Sequence, residues 1–194
     1  MKFQAILDKY RKHSFSERDK GSRFERLMQA YLSAEPKYQS VLNQIWLWNE
    51  FPYRKDFGSG KDIGIDLVGK TYDGKYWAIQ CKCYDDKTYI TKADIDTFLA
   101  TSGKKFQDEN LHSTVFSQRM WISTTNRWTS EAISALHNLS IPAFRVNLSE
   151  LEKAPVDWDK LERGVHGADA VIKTRELKKH QKKALNAFGE HFKT

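Results

Sequence analysis

The stretch KDIGIDLVGKTYDGKYWAIQCKCY, residues 61–84, decides the fold of this chain. Apolar and polar residues alternate in both halves of the stretch, and an Asp-Gly pair separates the halves. Alternation with a period of two is typical of strands, and Asp-Gly is typical of the turn between them. The stretch therefore predicts a β-hairpin in which successive side chains of each strand point to opposite faces.

The length of the hairpin loop determines which polar side chains lie side by side. A two-residue loop places Asp66 opposite Cys81, whereas a three-residue loop places Asp66 opposite Gln80. A three-residue loop ends in a left-handed residue that is usually Gly, and Gly74 occupies that position. We therefore expect the three-residue loop, which puts Asp66, Gln80 and Lys82 on one face. A slip of one residue would separate them.

This combination of side chains suits the hydrolysis of a phosphodiester. The reaction needs an activated water, neutralisation of the phosphate charge and help for the leaving oxygen, and Mg²⁺ can supply all three through hard oxygen ligands. Asp66 offers a carboxylate, Gln80 an amide oxygen and Cys81 a backbone carbonyl. Lys82 can orient the water and stabilise the developing negative charge. The hairpin therefore predicts most of a metal-dependent nuclease site.

A predicted helix adds a further carboxylate. After Ser22, apolar residues recur at the helical spacing i, i+3, i+4, and Glu25 lies at the border of this stripe. A helix carboxylate alone is usually solvated, but near the hairpin Glu25 can bind a second ion or hold a metal-bound water. Because Gln80 stands where a carboxylate would add a charge, we expect low metal affinity until DNA phosphate arrives.

The rest of the chain alternates predicted helices and strands. This order predicts an α/β fold with a mixed central sheet and helices on both faces. Residues 14–21 and 104–113 are predicted loops. The predicted elements outside the hairpin are a helix over 1–13, the helix after Ser22, a strand over 41–53, a helix from Thr91 to about Gly103, a strand over 115–123, a helix from 129 or 130 to 139, an edge strand over 141–146 and one or two short helices in 148–163.

Composition limits the class of protein. Hydrophobic residues make up 40% of the chain and aromatic residues 13%, which is enough for a packed core. The sequence contains no run of about 18 apolar residues, so no membrane span is predicted. The N-terminus lacks the apolar segment of a signal peptide. The two cysteines give no disulfide framework. These features predict a reduced, cytoplasmic protein.

The positive charge is concentrated near the C-terminus. The formal net charge is +7, and residues 173–194 carry seven Lys or Arg and two Glu. The remaining 172 residues hold 25 basic and 23 acidic side chains. The high isoelectric point therefore gives only weak support for nucleic-acid binding by the main part of the chain.

The order of acid, hairpin and Gln-x-Lys resembles the PD-(D/E)xK nuclease superfamily. The segments GSGKDIGIDLVG and WAIQCKCY are similar to the Mrr-like restriction endonuclease branch, whose pattern is a Gly-rich segment, Asp-x-Gly-x-Asp and then Gln-x-Lys. Residues 62–66 and 80–82 match that pattern, and Phe24-Glu25 matches the upstream helix of the branch. WISTT at residues 121–125 also resembles it. The resemblance covers about residues 20–146; each motif is short, and their combined order is specific.

The resemblance implies a catalytic set of Asp66, Gln80 and Lys82, supported by Glu25. It implies a restriction-endonuclease-like core and Mg²⁺-dependent cleavage of double-stranded DNA, with Mn²⁺ as a possible substitute. Asp62, the first Asp of the motif, is expected to have a structural or supporting role. Two alternatives remain open: a nuclease-fold DNA-binding module without activity, which Gln80 makes conceivable, and a structure-selective junction or repair nuclease.

The C-terminal segment RELKKHQKKALNAFGEHF resembles the opening segment of a superfamily 2 helicase, with Gln181 as its adenine-reading residue. We therefore expect an Mrr-like nuclease domain at residues 1–165 and a basic helical tail at 166–194 that leads into a helicase. This implies an ATP-dependent restriction enzyme of the Type ISP group, with methyltransferase and target-recognition domains in the same polypeptide. A solvated helix or a DNA-backbone contact is the alternative for the tail.

Overall fold

A mixed five-stranded sheet forms the centre of the computed structural model, which describes residues 2–58, 64–164 and 170–171. Neighbouring strands are antiparallel from the first to the third and parallel from the third to the fifth. In spatial order the strands are β1 (Leu42–Leu47), β2 (Leu67–Thr71), β3 (Tyr76–Lys82), β6 (Phe116–Ser123) and β7 (Ala143–Val146). Two short strands, β4 (Phe106–Gln107) and β5 (Ser113–Thr114), form a separate ribbon.

Helices cover both faces of the sheet, as the sequence predicted. One face packs against α4 (Lys92–Thr101) and α5 (Ser130–Ala135). The other face packs against the remaining helices, which are α1 (Phe3–His13), α2 (Glu17–Ala34), α3 (Pro36–Gln39), α6 (Leu148–Lys153) and α7 (Trp158–Glu162). No helix in the described part of the chain is long and apolar enough to cross a membrane.

The alternation of the hairpin residues divides the apolar side chains between two cores. Leu67 and Ile79 are buried on the α2 side, and Val68 and Ala78 are buried on the α4 side. Burying each large aliphatic side chain contributes roughly 1.5–3 kcal/mol relative to leaving it exposed. A shift of register by one residue would exchange these faces, so the two cores together fix the pairing.

The hairpin has the predicted three-residue loop. The Thr71 N–H donates to the Lys75 carbonyl at 2.8 Å, and Gly74 has a φ of +81°, the left-handed conformation that this loop requires. The ladder pairs Leu67 with Ile79. Continued by one residue, that register places Asp66 opposite Gln80, which is the pairing that the three-residue loop predicted.

Helix α2 begins earlier than the sequence predicted. Residues 14–21 were expected to form a loop, but α2 starts at Glu17 with Ser16 as its N-cap, whose side chain accepts a hydrogen bond from the Asp19 N–H at 3.1 Å. Acidic residues in a first turn are favoured by the helix dipole. The polar character of this segment reflects an exposed first turn of a helix and not a loop.

Other boundaries also differ from the predictions. Residues 104–113 contain part of the β4–β5 ribbon, β1 ends at Leu47, and α5 ends at Ala135. Strand β2 begins at Leu67 because Gly64 turns the chain at a φ of +72° just before it. A Cβ at that glycine would lie 2.9 Å from the backbone nitrogen of Phe98, so the chain approaches α4 too closely for any side chain.

Two predictions fall outside the described residues: the role of Asp62 and, apart from residues 170–171, the helical tail at 166–194. Near the C-terminal end of the described chain, Ala170 is fully buried, and its carbonyl accepts a hydrogen bond from the Asp157 N–H at 2.7 Å. Val171 forms an antiparallel bridge with Val156. Residues 170 and 171 are therefore part of the packed structure.

Candidate active site

The candidate site lies at the edge of the sheet where β3 and β6 end. Asp66 directly precedes β2, and Lys82 is the last residue of β3. Because β2 is antiparallel to β3, its beginning lies beside the end of β3. The carboxyl ends of parallel strands are the usual location of ligand sites in such sheets.

Asp66 is held in place through both its backbone and its side chain. Its N–H donates to the Ile79 carbonyl at 2.9 Å, and its carbonyl accepts from the Trp48 N–H at 2.7 Å. The carboxylate oxygen Oδ2 accepts from the Cys81 N–H at 2.7 Å and from Gln80 Nε2 at 2.5 Å. These contacts fix the orientation of the carboxylate that the sequence placed at the centre of the site.

Gln80 presents its nitrogen, and not its oxygen, to Asp66. The side chain is only 2% exposed, and a carboxylate oxygen accepts but does not donate, so the amide atom 2.5 Å from it is the nitrogen. The sequence predicted that the Gln80 oxygen binds a metal. In the observed orientation Gln80 instead fixes the position of Asp66, and the amide would have to turn over before its oxygen could act as a ligand.

The positive charge of Lys82 acts on the Glu25 carboxylate. Partial burial raises the pKa of Glu25, and the positive charges of Lys82 and Arg26 oppose this rise. Burial also raises the pKa of the Cys81 thiol, and the charges of Asp66 and Glu25 raise it further. Glu25, Asp66, Cys81 and Lys82 are therefore within electrostatic range of one another, although Glu25 comes from the helix on the α2 side of the sheet.

Hard oxygen atoms dominate the possible metal ligands. Cys81 is 6% exposed, and its raised pKa keeps the thiol protonated, which does not favour metal binding by sulfur. No group of three or more His, Cys, Asp or Glu residues suited to a metal occurs among residues 2–58, 64–164 and 170–171. A metal at this site would therefore depend on the Gln80 amide and a backbone carbonyl as well as on carboxylates.

Two adjacent threonines, which the sequence analysis noted only as part of WISTT, support the end of β3. The Thr124 N–H donates to the Lys82 carbonyl at 3.1 Å, and Thr124 Oγ1 donates to the Tyr84 carbonyl at 2.6 Å. Thr125 Oγ1 makes hydrogen bonds of 3.1 Å and 2.8 Å to the carbonyls of Asp86 and Thr88. In the sequence, two adjacent hydroxyl residues directly after a buried strand are the feature that could have predicted this supporting role.

Asp94 adds a negative charge that sequence reasoning assigned only to helix capping. Its Oδ1 accepts from the Tyr84 hydroxyl at 3.0 Å, and its Oδ2 accepts from the Thr91 N–H at 2.7 Å. Burial opposes ionisation, but hydrogen bonds from Thr91 and Tyr84, together with the charge of Lys82, lower the pKa of Asp94. Lys82 therefore lies in the field of two carboxylates, Glu25 and Asp94.

The chain matches a known protein family. A family model described as restriction endonuclease, Mrr_cat_2, matches residues 33–168. The matched segment contains Asp66, Gln80 and Lys82, whereas Glu25 lies N-terminal to it. No curated protein sequence matches the chain.

Among solved structures, the chain is similar to one described as the ATP-dependent Type ISP restriction-modification enzyme LlaBIII bound to DNA, with a TM-score of 0.71 and 27% identity. The match covers 96% of this chain and 11% of that chain, so this chain spans about a tenth of that relative. The DNA modification-dependent restriction endonuclease AspBHI matches with a TM-score of 0.46 and 11% identity, over 97% of this chain and 40% of its own. The MspJI restriction endonuclease in complex with a 27-mer oligonucleotide matches with a TM-score of 0.45 and 11% identity, over 94% and 38%.

Proposed function

Because the chain belongs to the restriction endonuclease family, we propose that it is a Mg²⁺-dependent endonuclease domain that hydrolyses phosphodiester bonds of double-stranded DNA. The observation that carries this proposal is the contact of Asp66 with Gln80 Nε2 and the Cys81 N–H, at the strand end that also presents Lys82. An oriented carboxylate and an ammonium group at one strand end suit metal-assisted phosphodiester hydrolysis.

The donor atoms fit a hard cation. Asp66, the Cys81 backbone carbonyl and, once its amide turns over, the Gln80 oxygen would hold Mg²⁺ or Mn²⁺, and Glu25 would hold a second ion. When bound, such an ion neutralises phosphate charge and lowers the pKa of a bound water. The inward position of the Cys81 thiol and its raised pKa are consistent with oxygen rather than sulfur ligation.

The residues of the chain contribute orientation and charge. The Cys81 N–H fixes the Asp66 carboxylate, and Gln80 adds a second contact until its amide turns over, so the carboxylate loses little conformational freedom when it binds a metal. Lys82 supplies positive charge for the phosphate oxygens that become more negative during the reaction. Glu25, whose pKa is raised by burial, would accept a proton from a water at this edge.

The first test is cleavage by variants of the site. D66A and K82A are each expected to reduce plasmid nicking at least about a hundredfold, because each removes a group that acts on the reacting phosphate. K75A is the matched control, since Lys75 is exposed at the opposite end of the hairpin. Nicking that D66A and K82A leave unchanged would place catalysis elsewhere.

The second test concerns metal affinity. With Gln80 in place of a carboxylate, we expect weak Mg²⁺ binding to the free protein and stronger binding when DNA phosphate supplies a further ligand. Titration of Mg²⁺ with and without duplex DNA measures the difference, and equal affinity in both states contradicts this part of the proposal. Mg²⁺ or Mn²⁺ soaked into crystals is expected between Asp66 and the Cys81 carbonyl.

We further propose that the chain is the nuclease part of a cytoplasmic, ATP-dependent restriction enzyme that also contains helicase, methyltransferase and target-recognition domains. The similarity to a Type ISP enzyme supports this, although that chain is much longer. An antibody against residues 1–165 should detect a polypeptide in the source cells far larger than 22.6 kDa. Detection of a native protein of about this mass contradicts the multidomain proposal and leaves the nuclease proposal unaffected.

The amide nitrogen that faces Asp66 also favours a second candidate, a nuclease-fold module that binds DNA without cutting it. Duplex binding combined with wild-type nicking no faster than that of D66A would support this alternative. A comparison of linear and branched DNA substrates separates both possibilities from a junction or repair nuclease.

A further inference from the structure

Two arginines that stack on aromatic rings lie beside the candidate active site. The guanidinium carbon of Arg127 is 5.5 Å from the ring centroid of Tyr89, and that of Arg145 is 5.0 Å from the ring centroid of Trp128. Among the described residues, neither guanidinium forms an ion pair. Stacking orients an Arg without consuming its in-plane donors, which remain able to bind an anion.

The loops that carry these residues are fixed to each other. The Ile90 N–H donates to the Arg127 carbonyl at 2.9 Å, and the Thr129 N–H donates to the Ile90 carbonyl at 3.0 Å. Trp128 Nε1 donates to Asn147 Oδ1 at 2.9 Å. Because the loops are ordered in the free protein, a ligand that binds them loses little affinity to the cost of ordering.

The position of the arginines relates them to the catalytic strand. The Thr124 N–H is bonded to the Lys82 carbonyl, and Arg127 follows three residues later, a chain reach of at most about 11 Å. Arg145 lies on β7, which is separated from β3 by β6, so two strand spacings of about 5 Å each place it about 10 Å from β3. Since one DNA strand advances about 3.4 Å per nucleotide, these distances correspond to roughly two to four nucleotides.

We propose that Tyr89, Arg127 and Arg145 form a contact track for one DNA strand, in which the two arginines bind phosphates on one side of the scissile bond. The proposal rests on the proposed function, because it takes the phosphate near Lys82 as the reacting one. Asp85 and Asp86 lie in the same loop as Tyr89, so phosphate is attracted by the placement of the two guanidinium groups and not by a net positive charge of the loop.

Duplex binding in EDTA tests the track without cleavage. R127Q and R145Q are each expected to weaken binding about tenfold and to reduce the slope of log K against log salt concentration by about 1. K75Q, which removes an exposed charge at the other end of the hairpin, is expected to change neither quantity. R145K keeps the charge without the planar stacking group, so it should keep the salt slope and lose only part of the affinity. Because Arg145 is half-buried, this conservative variant also distinguishes loss of a phosphate contact from a defect in folding.

Methylphosphonate linkages locate the contact. For the wild type, neutral linkages roughly two to four nucleotides from the cut, on one side only, are expected to weaken binding, and the effect should disappear in R127Q or R145Q. If the wild type binds duplex DNA but both glutamine variants keep its affinity and salt slope, the track is wrong and the proposed function stands. A wild-type chain that neither binds nor cuts DNA contradicts both.

Discussion

At the residue scale, the neutral amide of Gln80, which contacts Asp66, makes the candidate site one charge less negative than a carboxylate at this position would. Q80E would place a second carboxylate 2.5 Å from Asp66 Oδ2 in a position that is 2% exposed. We expect the Mg²⁺ affinity of the DNA-free protein to rise roughly tenfold or more, because the charge of the ligands determines affinity for hard cations. Calorimetric titration measures the change, and Q107E, at an exposed Gln, is the matched control.

The same substitution should destabilise the metal-free protein. It removes a buried hydrogen-bond donor and brings two acceptors together, which costs roughly 1–3 kcal/mol of the free energy of unfolding. Urea unfolding of Q80E in EDTA, and again with Mg²⁺, measures the cost and its reversal by the metal. A Q80E protein with wild-type stability and wild-type Mg²⁺ affinity would show that the observed amide contact is not important.

Glu25 permits a prediction about pH. Because burial raises the pKa of Glu25, its contribution to stability is fully present below its ordinary value of 4.5 and is lost as pH rises through the folded-state pKa. In EDTA, E25Q is therefore expected to be more stable than the wild type at neutral pH, by about 0.5 kcal/mol at this half-exposed position, and the difference should vanish in acid.

Glu131 provides a control of opposite sign. A hydrogen bond from its own N–H, and further bonds from Thr129 and Ser130, lower its pKa, so its contribution to stability is present at neutral pH and lost in acid. E131Q should therefore lower stability at neutral pH. If E25Q and E131Q shift stability in the same direction, the assigned cause of the Glu25 shift is wrong.

Some single-residue features could be predicted from the sequence and others could not. The hairpin register was predictable because Gly74 marks a loop of defined length and each strand alternates around it. The direction of the Gln80 amide was not predictable, because both ends of an amide have the same size and only a neighbouring atom distinguishes them. The nearness of Asp94 to Lys82 depends on the packing of α4, which no local pattern reports.

At the element scale, two glycines with positive φ show what positions Asp66. Gly64 has a φ of +72° with a Cβ position 2.9 Å from the Phe98 nitrogen, whereas Gly74 has a φ of +81° with open space around it. G74A is expected to cost about 1–2 kcal/mol from backbone strain alone. G64A should cost roughly 1–3 kcal/mol more, because α4 must also move.

Thermal unfolding and nicking assays of the two glycine variants distinguish backbone strain at the glycine from displacement of the segment that carries Asp66. G74A should reduce stability with little effect on nicking, whereas G64A should reduce both, since the segment before β2 carries Asp66. Equal losses of stability in G64A and G74A would show that the close approach to Phe98 has no energetic effect.

Element boundaries were less predictable than element types. Strands β3 and β6 and helices α1 and α4 were predicted from periodicity close to their observed limits. The start of α2 was missed because Ser16 and Ser22 are both plausible caps, and the choice between them depends on tertiary packing. The start of β2 was missed because the close approach of Gly64 to α4 is a tertiary contact, which the alternation of strand residues does not report.

At the scale of the whole molecule, the predicted restriction-endonuclease-like fold is confirmed by the mixed sheet and its structural match. The described part of the chain contains one candidate site for two DNA strands. We therefore expect nicked circular plasmid to accumulate before linear plasmid, with linear product appearing faster as protein concentration rises. Gel analysis over time measures both products. Linear product without a nicked intermediate, at a rate independent of protein concentration, contradicts this expectation.

The bonds of Thr124 and Thr125 end on the carbonyls of Tyr84, Asp86 and Thr88, which belong to the backbone. Every amino acid carries such a carbonyl, so the attachment does not depend on which side chains the loop displays. During divergence, residues 85–89 are therefore free to acquire new surface chemistry while the neighbouring catalytic strand keeps its shape. Substitutions confined to residues 85–89 are therefore a route by which homologues acquire new preferences for the DNA sequence that flanks the cut.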